Sequence, residues 1–264
     1  MTTTPAKPRV AVHKFSSCDG CQLAFLTAGE ALLTLAELVE IRHFAEAGAL
    51  DETAQVEIAF VEGSISTPHE AERIQRVRAQ SRYLVTIGAC ATAGGIQSLR
   101  NLARVDEWTR AVYASPEYIR ALDRVDPIAA HVSVDFELWG CPVNTGQVTA
   151  LVRDLLFGVA PRPVNEKVCL ECKRAGNVCV LVASDPPQPC LGPVTRTGCG
   201  AICPRMGRDC YGCYGPAEQA NTRALNRRLR GIGLLPEEIA RRYQLMNAEA
   251  PEFAEAARHV RNSR

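Results

Sequence analysis

No run of apolar residues in this chain approaches the roughly 20 that a membrane-spanning helix needs, so no membrane span is expected. An excess of charge of one sign is missing too: 30 Lys+Arg stand against 29 Asp+Glu, a formal net charge of +1. Proteins that grip a phosphate backbone usually carry a clear positive surplus, so nucleic acid is excluded as the main partner. There is no G-x-G-x-x-G, no Walker lysine motif and no H-E-x-x-H, which leaves any nicotinamide, flavin or nucleotide to another chain. Internal repeats and low-complexity tracts are absent. Met1–Val12 has neither an apolar export core nor a twin-arginine pair, and a cytoplasmic location is the expectation.

What is present is an ordinary globular composition with one exception. The 264 residues are 47% hydrophobic and 22% charged, enough for one large domain or a domain with an appendage, and too apolar for disorder. The exception is cysteine, at 12. In a reducing compartment these thiols are not expected to form disulfides, which leaves metal ligation or redox chemistry. Cys18, Cys21, Cys90 and Cys141 are spread along the first half; Cys169, Cys172, Cys179, Cys190, Cys199, Cys203, Cys210 and Cys213 are crowded together after it. Four thiolates suit a tetrahedral zinc or a cubane iron–sulfur cluster, and twelve make three such sets.

Hydrophobic periodicity gives alternating strands and helices up to about residue 157. Strands are expected at Arg9–His13, Val56–Val61, Tyr83–Ile87 and Val132–Leu138. Helices are expected at Gln22–Ile41, Thr67–Gln80 (Thr67 as N-cap, Pro68 in the first turn) and Asn144–Phe157. That alternation predicts an α/β fold, a parallel sheet with helices on both faces. Ligands in such sheets lie at the carboxyl ends of the strands, and Cys18/Cys21, Cys90 and Cys141 each follow a strand. Four distant residues thus converge on one edge. A proline-rich exit at Gly158–Pro163 marks the boundary between a first domain, 1–160, and a second, 161–264.

Residues 164–216 combine eight cysteines with many glycines and prolines, so little core is expected there and metal is expected to hold the segment. Helices at Ala220–Leu229, Pro236–Met246 and Glu252–Val260 follow, with Arg227, Arg228, Arg241 and Arg242 read as a solvated or subunit-facing surface. His13 and His131 read as sheet-edge residues, and His43, His69 and His259 as surface. Ser17 and Thr92 neighbour candidate ligands and have the chemistry to hydrogen-bond sulfur or simply to cap a turn.

C-x2-C pairs at Cys18/Cys21, Cys169/Cys172 and Cys210/Cys213 serve zinc and iron–sulfur sites alike. Iron is favoured by Cys199-Gly-Ala-Ile-Cys203-Pro204, which repeats the C-x3-C-P ending of ferredoxin segments, by Cys141-Pro142, and by glycines that let backbone N–H groups approach a bulky cofactor.

Together, Ser17-Cys-Asp-Gly-Cys21-Gln, Val61-Glu-Gly63, Gly88-Ala-Cys90 with Gly94-Gly95, Gly140-Cys-Pro142 and the eight-cysteine segment resemble the small subunit of nickel–iron hydrogenases over roughly residues 9–250. The resemblance implies a flavodoxin-like domain followed by a cysteine-rich domain, and three 4Fe–4S clusters. It implies Cys18, Cys21, Cys90 and Cys141 as proximal ligands, Cys199, Cys203, Cys210 and Cys213 as medial, and Cys169, Cys172, Cys179 and Cys190 as distal. Where periplasmic uptake members carry a histidine and a proline, this chain has Cys169 and Cys203. That departure points to the soluble, bidirectional branch, of the sulfhydrogenase or NADP-linked type. The implied partners are a large subunit bearing the nickel–iron centre, where hydrogen is split, and flavin/iron–sulfur subunits that pass electrons to a nicotinamide. Glu62 is implied beside the proximal cluster, with a role in proton movement or, equally, as a simple loop or capping carboxylate. A complex I-like electron-transfer subunit and a zinc-stabilised interaction module remain as alternatives.

Overall fold

A computed structural model describes residues 7–162 and 166–263. The chain begins with β1 (Arg9–Lys14), α1 (Gly20–Leu26), α2 (Glu30–Leu38), β2 (Glu40–Phe44), β3 (Ala49–Leu50) and β4 (Val56–Glu62). Then come α3 (Pro68–Ala79), β5 (Ser81–Ile87), α4 (Gly88–Ala93), α5 (Val105–Val112), β6 (Phe136–Leu138) and α6 (Thr145–Leu156). The second half holds α7 (Val168–Arg174), α8 (Ile202–Arg205), α9 (Thr222–Gly231), α10 (Pro236–Asn247) and α11 (Pro251–Asn262).

The six strands form one sheet in the order β3-β2-β1-β4-β5-β6, parallel throughout except for the short antiparallel β2–β3 pair. Without β3, the order is that of flavodoxin-like sheets. Residues alternate between its two faces. Val10, Val12, Ile58 and Phe60 pack with Phe25 of α1 and Val148, Leu151 and Val152 of α6. Ala11, Ala59 and Val61 pack on the other side with Ile74 and Val77 of α3 and Ala91 of α4. Helices therefore cover both faces, as the apolar strand composition requires.

The expected helix at Thr67–Gln80 forms with a full capping box: Thr67 Oγ1 accepts the Glu70 N–H, and Glu70 Oε2 accepts the Thr67 N–H. Asn144 caps α6 by accepting the Gln147 N–H. Two expectations need correction. The single helix expected over Gln22–Ile41 is two, broken at Gly29 with φ 59°, and its end turns into β2. There Glu-Ile-Arg-His-Phe is pinned by pairing with β1, and burial of its last two residues overrides helical spacing. The strand expected at Val132–Leu138 shortens to β6 because Asp135 uses its side chain as well as its backbone: Oδ2 accepts the Leu84 N–H, and its own N–H goes to the Leu84 carbonyl.

The second half is not coreless, contrary to the sequence expectation. Leu191 and Val194 of the cysteine-rich loops are buried with Leu225, Leu229, Ile239, Tyr243, Phe253 and Val260 of α9–α11. The helical tail, separated in sequence, supplies the apolar mass that the loops lack. Its arginines are correspondingly not all surface. Arg228 donates to the Leu181 carbonyl at 2.9 Å, and Arg242 donates to the Pro189 carbonyl at 3.1 Å and pairs with Asp209. Two residues of the first half, Ala93 and Trp139, belong to the same core, so the expected boundary separates chain segments that share packing.

Candidate metal centres

The carboxyl ends of β1, β4, β5 and β6 form one rim, and the first four cysteines lie along it. Cys21 opens α1, Cys90 lies in α4, and Cys141 follows β6. Within this group Cys21 lies in electrostatic reach of Cys90 and Cys141, and Cys18 of Cys90 and Cys141. Backbone without side chains makes room for the sulfurs: a Cβ on Gly88 would stand 2.3 Å from Cys21 Sγ, and one on Gly95 2.5 Å from Cys90 Sγ. Cys18 and Cys141 are exposed, so the rim is open on one side.

The other eight cysteines divide in space as well. Cys169, Cys172, Cys179 and Cys190 line one pocket with Val180, Gly192 and Pro193. Cys199, Cys203, Cys210 and Cys213 line a second cavity of about 420 Å³ together with Cys141, Ile202 and Tyr214. This last group lies between the others. Cys213 is in electrostatic reach of Cys141, and the Cys210 N–H donates to Cys190 Sγ at 3.3 Å. A further cavity, about 440 Å³, lies beside β6 and is lined by Glu137, Trp139, Gln147 and Arg196, with no cysteine in its lining.

Burial governs the chemistry of these thiols. It pushes Cys90 and Cys169 up to about 11 and Cys213 up to about 12, and raises Cys21, Cys141, Cys190, Cys199 and Cys210. Thiols with raised pKa are poor nucleophiles, which argues against thiol–disulfide catalysis. A metal core held by these thiols would supply the positive charge needed to deprotonate them. Backbone N–H groups already point at several sulfurs: Val143 to Cys21 at 3.4 Å and Gly212 to Cys210 at 3.4 Å. Among the described residues no three His, Cys, Asp or Glu side chains close on a single point as one ion's ligands would. Four thiols around a cavity are the donor set that a cubane iron–sulfur cluster would take.

Glu62, at the end of β4, is 2% exposed. Its carboxylate accepts the Cys21 N–H at 2.9 Å and the Gln22 N–H at 3.3 Å, the first orphan donors of α1. Desolvation raises its pKa, opposed by those two backbone bonds and by the Gln22 side chain. Gln22 is fully buried, and its amide makes no well-formed hydrogen bond. Gln22 closes the Ser17–Gln22 motif of the sequence, yet no role was assigned to it there, because a glutamine at the start of a helical stretch signals no chemistry of its own.

Thr92 bonds the Gly88 carbonyl at 3.0 Å, a turn role, and Ser17 bonds Asp19. His43, expected on the surface, is 2% exposed and stacks on His13 with ring centroids 4.7 Å apart. Its place in β2, next to β1, puts it inside; the missed strand explains the miss. His131 lies 3.4 Å from Asp126.

Strand order and a thiol-lined rim at the strand ends define an α/β protein of the doubly wound class with its site at the carboxyl edge. The chain belongs to the family of the NADH ubiquinone oxidoreductase 20 Kd subunit, whose model matches residues 18–155. Among individual proteins it is similar to Sulfhydrogenase 2 subunit delta of Pyrococcus furiosus, 36% identical over 89% of this chain and 97% of that one. It is also similar to the iron-sulfur subunit of the F420-non-reducing hydrogenase of Archaeoglobus profundus, 25% identical over 75% of this chain and 79% of that one. A solved NAD+-reducing [NiFe]-hydrogenase chain superposes with a TM-score of 0.55 at 29% identity, covering 59% of this chain and 94% of its own. Among the described residues no helix is long and apolar enough to cross a membrane.

Proposed function

We propose that this chain is the electron-transfer small subunit of a cytoplasmic nickel–iron hydrogenase. In this reading it relays electrons between the nickel–iron centre of a large subunit and a flavin-bearing, nicotinamide-reducing partner. Cys18, Cys21, Cys90 and Cys141 would hold the proximal 4Fe–4S cluster, Cys199, Cys203, Cys210 and Cys213 the medial one, and Cys169, Cys172, Cys179 and Cys190 the distal one. When bound, each cluster would take up and release one electron. The protein's part is to space the sites, exclude water and aim N–H groups at the sulfurs, which sets potential.

The observation that carries this reading is the spatial order of the three thiol groups, with the middle one sharing a cavity wall with Cys141 on one side and hydrogen-bonded to Cys190 on the other. The exposed thiols lie at the two outer groups: Cys18 and Cys141 at the sheet rim, Cys179 in the far pocket. Those are the places where partner chains would cover an entrance and an exit. Glu62 faces the proximal group from the buried side, where its carboxylate holds the Cys21 and Gln22 N–H groups and desolvation raises its pKa, which makes it the carboxylate placed for proton movement beside that group.

A complex I-like role is favoured by the family's description. The sulfhydrogenase relative spans far more of the chain than the family match and favours the hydrogenase role. Anaerobic reconstitution tests the cluster assignment: about twelve irons per chain and no nickel are expected. Stoichiometric zinc with negligible iron overturns it. Co-purification with a nickel-free, quinone-reactive complex would overturn the hydrogenase role and leave the relay standing.

A further inference from the structure

Two aromatic–glycine pairs, one from each half of the chain, interlock where the halves meet. Trp139-Gly140 follows β6 and precedes Cys141; Tyr214-Gly215 follows Cys213. Each aromatic ring rests on the other pair's glycine. A Cβ on Gly140 would stand 2.8 Å from Tyr214 Cζ, and one on Gly215 would stand 2.1 Å from Trp139 Cε3. Real side chains do not approach that closely, and both glycines have positive φ, 147° and 72°, so any other residue there is strained twice over. A third glycine, Gly198, completes the seat: its Cβ would lie 2.8 Å from Tyr214 Cε1.

The lock is buried and tied down. Trp139 is 7% and Tyr214 5% exposed. The Tyr214 hydroxyl donates to the Pro142 carbonyl at 3.1 Å, and Trp139 Nε1 donates to Glu137 at 3.1 Å. Arg196 covers the Trp139 ring with its guanidinium carbon 4.9 Å from the centroid. Each residue around the Tyr214 ring adjoins a thiol of the rim group or the middle group: Gly140 and Pro142 flank Cys141, Gly198 precedes Cys199, and Tyr214 follows Cys213. The ring therefore sits in the gap between those two groups, on the wall of a cavity that Cys141 and Cys213 also line.

We propose that Tyr214, clamped by Gly140 and Gly198 and matched by Trp139 on Gly215, is the spacer that fixes the separation of the proximal and medial sites. Its flat ring fills the gap with a covalently tethered, water-free medium, and the paired glycines set how near the two loops come. It is a positioning residue and ligates nothing. The inference rests on the relay reading above.

The test uses the full chain in its intact, iron-loaded complex. The readouts are iron content and the magnetic interaction between reduced clusters by electron paramagnetic resonance. Tyr214→Phe keeps the ring and should leave both unchanged. Tyr214→Leu removes the ring and should keep the iron while altering the interaction between the rim and middle clusters. Gly215→Ala drives a Cβ into Trp139 and should alter the same interaction, and adding Trp139→Leu to it should restore part of the wild-type signal. Wild-type coupling in both Tyr214→Leu and Gly215→Ala overturns the proposal, as does loss of iron in Tyr214→Phe. If Tyr214→Leu alone loses iron, the Gly215→Ala pair decides. Absence of cluster signals from the wild-type complex would instead sink the relay reading.

Discussion

Removing one buried ring from the tail, Phe253→Ala, tests whether protein or metal holds the cysteine-rich half. Phe253 is fully buried, its ring centroid lies 5.3 Å from that of Tyr243, and its edge would meet a Cβ on Gly212 at 3.5 Å, inside the Cys210/Cys213 loop. Deleting such a side chain costs about 3–5 kcal/mol, from lost burial and the cavity left behind. At roughly 2–4 °C per kcal/mol for a chain of this size, the melting temperature should fall by about 6–20 °C. The assay is thermal unfolding of anaerobic, chelator-treated protein by circular dichroism, with amide exchange read over α9–α11. Val178→Ala, at a side chain 69% exposed, serves as control and should change stability by less than about 0.5 kcal/mol. The iron-free wild type should unfold cooperatively with α9–α11 protected. An iron-free chain whose three helices exchange like random coil would refute the reasoning, as would a Phe253→Ala shift no larger than the control's.

Arg242→Met strands the Asp209 carboxylate, 9% exposed, and frees the Pro189 carbonyl; a loss of about 2–3 kcal/mol in denaturant titration is expected, partly recovered by adding Asp209→Asn. His13 is held down to about 3 by burial and by His43 and Arg73, against an ordinary 6.5. The unfolded chain takes up this proton below pH 6.5 and the folded chain does not. Stability is therefore present above pH 6.5 and falls towards pH 3 by up to about 1.4 kcal/mol per unit, and His13→Gln should flatten that slope; an unaltered pH profile contradicts it. Glu62→Gln keeps one acceptor for the Cys21 N–H and should leave iron content unchanged while slowing hydrogen turnover of the assembled complex. Undiminished turnover would reduce Glu62 to a cap for α1.

The first half was legible because its signals are local. Thr67-Pro68 and the apolar runs that end shortly before Cys18, Cys90 and Cys141 announce where elements begin and end. What escaped depended on partners remote in sequence. Glu40–Phe44 is a strand because β1 lies beside it, and His43 is buried for that reason. The core of the second half was invisible because Leu191 and Val194 find their apolar neighbours in α9–α11, and no single window contains both. Arg228 and Arg242 looked like solvated charge because the carbonyls they bind belong to loops some fifty residues earlier. The count of twelve suggested three cysteine quartets and the family resemblance implied their members; the neighbours of each sulfur in space came only with the fold.

The core that Ala93 and Trp139 share with the C-terminal helices has a practical consequence for anyone shortening this protein. A fragment ending at Phe157 would keep the whole sheet, yet it would lay bare the indole of Trp139 and the floor around Ala93, and leave Glu249 no longer anchoring Asn101 and Arg124. Such a fragment would be sticky on one wall and prone to self-association. A minimal version of the rim would need that wall repainted with polar side chains, beginning at position 139.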